Sequence, residues 1–482
     1  MKSDDGMLDC KLHVVLQNFG ILKYAEIDVD KLTVVCGKNN MGKTYATYAF
    51  YGFLDFWRRG FSWRPESALV RTLANDHQLT FTFDQLVELV LHAVNDASSL
   101  YSSPETLSEV FGSDSDFFSG SVFKLSLGSK FVRLQLERAL GEAGKAMGKG
   151  WIVTWEMDEK GLHYSFGDEG VPEDGFSAMT LIRILSDSMK KVVFSKILPM
   201  AAISCAERTG AVIFQKELDF TRNRIVEMLG DQETQKFSSM LFFRHFSARY
   251  PLPIRRNVDT ARKMPEGSKS FLTDGTTPGG VEVMRLFCDI IGGEYKVVKG
   301  ELRFVPREGK ALKLDMVLSS SSVRALMHLG VYLMFQAQRG DVLILDEPEQ
   351  NLHPSNQRKM ARLIARLVRL GVRVFITTHS DYIVREFNNL IMLNRKGKVL
   401  DGIRKKHAYS TAELLDSKEV SVYHAGKKPC LVPGNKIRSN VHTLIAADVD
   451  PELGIEAVTF DETINDMNQL QEEIMFAGEC DD

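Results

Sequence analysis

Gly37-Lys38-Asn39-Asn40-Met41-Gly42-Lys43-Thr44 decides the fold. It fills every fixed position of G-x-x-x-x-G-K-[ST], the phosphate-binding loop. Its glycines let backbone N–H groups curl around phosphate oxygens, and the helix that follows turns its positive end toward them. The pattern makes Gly37, Asn39, Asn40, Gly42, Lys43 and Thr44 the expected ATP contacts, with Lys43 on the β- and γ-phosphates and Thr44 on Mg²⁺. The flanks agree. Leu32-Thr33-Val34-Val35-Cys36 reads as a short buried strand feeding the loop, and Thr44 to Arg59 holds no breaker except Gly52, which predicts a helix.

Upstream, Leu12 to Leu16 and Ala25 to Val29 read as strands joined through Asn18-Phe19-Gly20. The predicted helix carries Tyr45, Tyr48, Phe50, Tyr51, Phe53, Phe56 and Trp57. Core packing is the first expectation for these rings, and adenine stacking by one of them is the alternative.

Far along the chain, Val342-Leu343-Ile344-Leu345-Asp346-Glu347 is an apolar strand ending in two carboxylates. A carboxylate at a strand end can hold Mg²⁺, and Asp346 is the expected metal ligand beside Thr44. Glu347, one residue on, can polarise the attacking water as general base. Pro348 follows, and a second strand, Val372 to Thr378, runs into His379-Ser380, so His379 can reach the γ-phosphate. The expected activity is hydrolysis of ATP to ADP and phosphate, with Glu347 and His379 as the catalytic pair and ATP and Mg²⁺ as cofactors.

The totals are ordinary. The 482 residues are 44% hydrophobic and 26% charged, with a net charge of −3, which argues against a general attraction to nucleic acid or anionic membrane. Six scattered cysteines without C-x-x-C spacing suit reduced thiols better than a disulfide frame or zinc site. No apolar run approaches the ~18 residues needed to span a bilayer, and the charged N-terminus lacks a signal region, so a cytoplasmic protein without a membrane partner is expected. The most positive stretch is 244 to 269, with Arg244, Arg249, Arg255, Arg256, Arg262, Lys263 and Lys269 against Asp259 and Glu266. It reads either as a solvated connector or as a patch for an acidic partner or nucleic-acid backbone.

Further elements are predicted between the motifs: helix over much of 84 to 111, a hairpin around Asp158-Glu159-Lys160-Gly161, helix from Val212 to about Arg244, helix from Gly280 to Ile291, and a hairpin over 295 to 305. A continuous helix is expected from Ser319 to about Gln338 and another from Pro354 to Leu370. Phe111 to Asp116 reads as a solvated loop, because the glycine and closing glutamate of a calcium loop are missing at their spacing.

The motif order resembles the ABC ATPases, in particular the branch shared by SMC, RecF-type and OLD-like proteins. Asn18-Phe19-Gly20 ahead of the loop is typical of that branch. Asp346-Glu347-Pro348-Glu349-Gln350-Asn351-Leu352-His353-Pro354 resembles its Walker B and D-loop, and Thr378-His379-Ser380 its switch histidine. The resemblance implies heads that sandwich two ATPs, each completed by a serine-glycine signature from the partner head. Ser319-Ser320-Ser321-Ser322-Val323 is the best match, with Ser320 and Ser321 as signature contacts. Ser321 and Ser322 stand where at least one glycine is usual. No residue is nominated for the glutamine loop.

The implied fold class is α/β: an ABC-type P-loop ATPase head, with a mixed central sheet flanked by helices and an antiparallel β subdomain, split by a largely helical insertion. Residues 10–60 and 300–410 are the expected core halves, 61–299 the insertion, and 411–482 a small C-terminal α/β region. Ala206-Glu207-Arg208-Thr209-Gly210 is similar to an A-E-R-[ST]-G segment in bacterial ABC-like ATPases allied to the OLD family, many in phage defence. Lys418 to Tyr423, Gly454-Ile455 and Phe460-Asp461-Glu462 are similar too. OLD proteins carry a Toprim nuclease after the ATPase. The stretch after Ala425 is shorter than a ~100–150-residue domain, and Asp448-Val449-Asp450 lacks a Toprim context, so the chain is not expected to cut nucleic acid itself.

The resemblance then implies a sensor and scaffold. It would form a homo-oligomer through its heads, hold a separate effector nuclease, and release it on meeting an acidic, DNA-mimicking phage protein. The alternative is a RecF-like repair ATPase clamping DNA, a less favoured expectation. A transporter's nucleotide-binding subunit is disfavoured by the long interval between the two motifs.

Overall fold

The computed structural model describes residues 12–148, 151–168, 178–213, 250–262, 268–308, 312–433, 437–456 and 458–477. Most of the helix expected over 212 to 244 lies outside these residues, as do Arg244, Arg249 and Lys263 of the basic stretch.

A six-stranded mixed sheet forms the centre, in the order Ser439–Ala447, Val420–Cys430, Leu32–Gly37, Arg373–Thr378, Val342–Asp346, Ala201–Ser204. Its inner strands pair in parallel, and Ser439–Ala447 closes one edge antiparallel. Alternate residues serve opposite faces. Val35, Val342, Ile344 and Phe375 enter one core; Leu32, Val34, Leu343, Leu345, Val374 and Ile376 enter the other. Burial on both faces explains why these strands read as unbroken apolar runs.

The first core holds the loop helix, Lys43–Arg59, whose Tyr48, Phe50, Tyr51, Phe53 and Trp57 are buried. Gly52 sits inside that helix because Tyr101 comes in close. A Cβ there would lie 2.4 Å from the Tyr101 hydroxyl, which donates to the Ala49 carbonyl at 2.9 Å. Leu12–Phe19 pairs antiparallel with Leu22–Val29 and Val122–Leu127. A four-stranded antiparallel sheet includes the expected hairpin, Trp151–Asp158 with Gly161–Asp168. Against the other face pack the helices Gly280–Ile291, Pro354–Arg369 and Asp381–Met392, and the hairpin Gly293–Val298 with Glu301–Pro306.

Within the stretch from 411, Val420–Cys430 runs parallel to the loop strand, Val420 opposite Leu32 and Ala425 opposite Gly37. It covers what would otherwise be an exposed strand edge. The segment after Ser319 is broken rather than continuous. Ser321–Ala325 stops at Leu326 (φ −97°, ψ 4°), Met327–Val331 follows, and Tyr332–Gln336 winds as a π-helix. The Ala325 carbonyl at the break accepts from the Arg208 side chain.

Candidate nucleotide site

The phosphate loop leaves the C-terminal end of the Leu32–Gly37 strand. Gly37 has φ 131°, and a Cβ there would lie 2.8 Å from the Ala425 carbonyl oxygen. Gly42, with φ 94°, begins the helix, and a Cβ would meet Leu22 at 2.5 Å. Both glycines are therefore demanded by neighbouring strands as well as by the loop's own path. Asn39, Asn40 and Thr44 are exposed on the loop. Lys43 is buried, and its ammonium donates to the carbonyls of Gly37 (3.0 Å) and Lys38 (2.8 Å). Burial pulls its pKa down, while Glu347 and Asp346 pull it up.

Asp346 ends its strand almost fully buried. One carboxylate oxygen accepts from the Thr377 hydroxyl; the other, Oδ2, is buried without a partner. Burial pushes Asp346 up to about 6, with Glu347 and Glu207 adding to the rise. A lone buried carboxylate oxygen at the end of this strand fits a cation site, and the exposed Thr44 supplies a hard oxygen donor of the kind Mg²⁺ takes.

Glu347 turns at φ 52° and anchors its N–H on the Thr377 carbonyl at 3.1 Å. Its carboxylate accepts from Gln350 Nε2 at 2.7 Å and lies 3.3 Å from His379 Nε2. The His379 contact, with Gln350 and Lys43, holds it down at about 2. The expected pair is thus brought together, but His379 sits against Glu347.

Three contributors escaped the sequence reading. Thr377 grips Asp346. Glu349, buried and pushed upward by desolvation, accepts from the Thr378 hydroxyl (2.9 Å) and the His379 backbone N–H (2.6 Å), fixing the histidine's base. Arg208 is the third. It is 1% exposed, and its guanidinium donates to the carbonyls of Ala325 (2.7 Å), Cys205 (2.9 Å), Asp346 (2.7 Å) and Glu347 (2.8 Å). The A-E-R-T-G segment was legible only as a family mark. Its neighbour Glu207 is exposed and accepts from the Tyr48 hydroxyl at 3.0 Å.

The serines stand apart from this cluster. Ser320 caps its own one-turn helix, accepting from the Val323 N–H at 3.4 Å, and Ser320 and Ser321 are both exposed. Val317 and Leu318 beside them are exposed apolar side chains. Asp450 accepts from the amides of Glu452 (2.6 Å) and Leu453 (2.9 Å), closing a tight turn. In the basic stretch, Arg256 pairs with Asp55 at 3.0 Å and Arg255 donates to the Glu109 carbonyl at 2.8 Å. Both are occupied within the chain.

A family described as AAA ATPase domain matches residues 12–102 and 292–384, one segment around each motif. The energy-coupling factor transporter ATP-binding protein EcfA of Methanococcus maripaludis is 28% identical over 122 residues, 25% of this chain and 42% of that protein. EcfA2 of Streptococcus agalactiae is 28% identical over 105 residues, 22% of this chain and 36% of that protein. The chain therefore spans less than half of the curated relatives it matches. Among solved structures, the SMC head domain from Thermotoga maritima overlaps at TM-score 0.31 and 10% identity, covering 91% of this chain and 100% of that one. An SMC head bound to the C-winged helix domain of ScpA overlaps at TM-score 0.35 and 10% identity, covering 91% and 98%. The mixed central sheet, with the phosphate loop at the end of one of its parallel strands, makes this an α/β fold of the P-loop ATPase kind, and the two matched segments bear the two motifs. Among the described residues no helix is long and apolar enough to cross a membrane.

Proposed function

We propose that this ABC/SMC-type ATPase couples ATP occupancy to self-assembly, as the sensing and scaffolding subunit of a bacterial anti-phage system. Gly37 to Thr44 would cradle the phosphates, and Thr44 and Asp346 would hold Mg²⁺, which neutralises phosphate charge when bound. Glu347 would take the proton of the attacking water, with His379 and Gln350 orienting its carboxylate. Ser320 and Ser321 would contact the nucleotide of a second head.

One observation carries the assembly reading: Arg208 ties the exposed serine segment, through Ala325, to the backbone of Asp346 and Glu347. A partner pressing on the serines would act on the hydrolytic carboxylates through one rigid group. Light scattering of the Glu347→Gln variant tests this. ATP should raise its mass, and adding Ser320→Arg should abolish the rise while leaving ATP binding intact. An unchanged mass on adding ATP to Glu347→Gln would sink the reading.

The defence assignment is supported by Ala206-Glu207-Arg208-Thr209-Gly210 and the tail segments, which are similar to OLD-allied defence ATPases. Within that group the chain would take the part of an ATPase subunit like AriA of the PARIS system. The effector would then be a separate Toprim-type nuclease, and the trigger an acidic phage protein that mimics DNA. Co-purification with the product of the adjacent open reading frame tests this. Salt-sensitive DNA binding that rises with ATP, without such a partner, would favour the RecF-like alternative.

A further inference from the structure

At the end of the central sheet opposite the phosphate loop lies a cleft of about 750 Å³. Its floor is made where the parallel strands begin: Lys31 precedes the loop strand, Asp341 precedes Val342–Asp346, Met200 precedes Ala201–Ser204, and Arg373 opens the histidine strand. Backbone bonds from Val342 N–H to Met200 (2.7 Å), Arg373 N–H to Asp341 (2.8 Å) and Val374 N–H to Lys31 (2.8 Å) make that floor continuous. The cleft is roughly one strand length, ~17–20 Å, from the nucleotide loop.

The lining is cationic. Arg58, Arg138, Arg339, Arg369 and Arg373 all face it, and Asp341 is the sole acid among the lining residues. Lys31 and Lys196 add two ammonium groups whose partners are Glu419 and Glu142 (2.8 Å for the latter), neither of them in the lining. Asp341 is a weak counter-charge. It is buried, one oxygen accepts from the Gln338 N–H at 3.0 Å, and desolvation pushes it up to about 6.

Neutral groups orient Arg138 and Arg339. Arg138 donates to the Gln135 side chain at 2.8 Å. Arg339 lies over the Phe271 ring, with its guanidinium 5.6 Å from the ring centre. Such contacts orient a guanidinium without neutralising it. Like charges gathered on one concave surface repel one another and raise the local potential, and an anion relieves both.

We propose that this cleft is a second anion site, built for a small ligand carrying several phosphate groups. The volume lies in the range of small-molecule pockets. Several guanidinium forks around one space match phosphate oxygens better than a single carboxylate, because each fork donates two parallel hydrogen bonds. The site is separate from the phosphate loop and shares no residue with it.

Calorimetric titration of the full chain with inorganic tripolyphosphate tests the proposal. A Lys43→Ala background blunts the phosphate loop, and about one tripolyphosphate should still bind per chain, more weakly as ionic strength rises. Adding Arg138→Ala and Arg369→Ala, both exposed side chains, should weaken that binding about tenfold or more. In the otherwise natural chain the same pair should leave MgATP affinity unchanged. Arg369→Gln alone should move tripolyphosphate affinity in the same direction. Absence of binding to the Lys43→Ala chain, or binding indifferent to the arginine substitutions, would overturn the proposal.

Discussion

Arg208 donates from Nη1 to the backbone carbonyl of Asp346 at 2.7 Å, so a fully enclosed guanidinium holds the end of the carboxylate strand by its main chain. The same group reaches Glu347 at 2.8 Å and Ala325 at 2.7 Å. Three segments far apart in sequence are thereby set in one frame.

Arg208→Ala should strip four carbonyls of their donor and leave a cavity, costing about 3–5 kcal/mol, read as a lowered melting temperature. Arg208→Lys keeps the charge but cannot reach four carbonyls at once. It should fold, bind ATP within a few-fold of the natural chain, and hydrolyse it at least ~10-fold more slowly, through displaced carboxylates. Unchanged turnover in Arg208→Lys would remove the positioning role.

Glu347→Gln should abolish hydrolysis by roughly 10²–10⁴-fold while nucleotide binding persists. His379→Ala should free the Glu347 carboxylate, whose pKa the imidazole holds low. The acidic limb of the turnover–pH profile should then move to higher pH. A profile indifferent to His379→Ala would show that their 3.3 Å approach is incidental to catalysis.

Asp346→Asn should remove the Mg²⁺ dependence of nucleotide binding. Without nucleotide, its effect on stability runs the other way. Burial raises the Asp346 carboxyl to about 6, above its unfolded value, so its stability contribution is present below about pH 4 and lost as pH rises through 6. At pH 7.5 the nucleotide-free Asn variant should melt at or above the natural chain, by up to about 2–3 kcal/mol. A lower melting temperature would contradict the assignment of Asp346 as a charge buried at a cost.

His328 is buried on the helix Met327–Val331, with Nε2 donating to the Asn257 carbonyl at 2.8 Å and Nδ1 unpartnered. Burial pulls its pKa down to about 4. Below about pH 6.5 the unfolded chain takes up this proton and the folded one does not, so stability falls as pH drops from 6.5 to 4. The loss should reach on the order of 3 kcal/mol by pH 4. His328→Gln should flatten that part of the melting temperature–pH curve; an equal slope in both proteins would locate the effect elsewhere.

The loop, the carboxylate strand and the histidine strand were legible because their chemistry depends on local spacing. Gly37 to Thr44 must be contiguous to wrap a phosphate, and Asp346-Glu347 must end an apolar strand to reach the same space. The insertion between them hid the rest. Arg208 finds its partners at 325, 346 and 347, and Glu349 meets the histidine strand only once that strand lies beside its own. Neither contact leaves a periodic or spaced mark in the chain.

By itself, then, the sequence determined the strand, loop and helix around Gly37 to Thr44 and the apolar strand that ends at Asp346, because short-range patterning dictates those local elements. Only the tertiary structure decided that Val420–Cys430 completes the sheet beside the loop and that His379 rests on Glu347. It alone gathered arginines from four distant segments around one cleft. Those outcomes depend on which strands become neighbours, and pairing among parallel strands is set by packing on both faces of the sheet, which no local stretch of residues encodes.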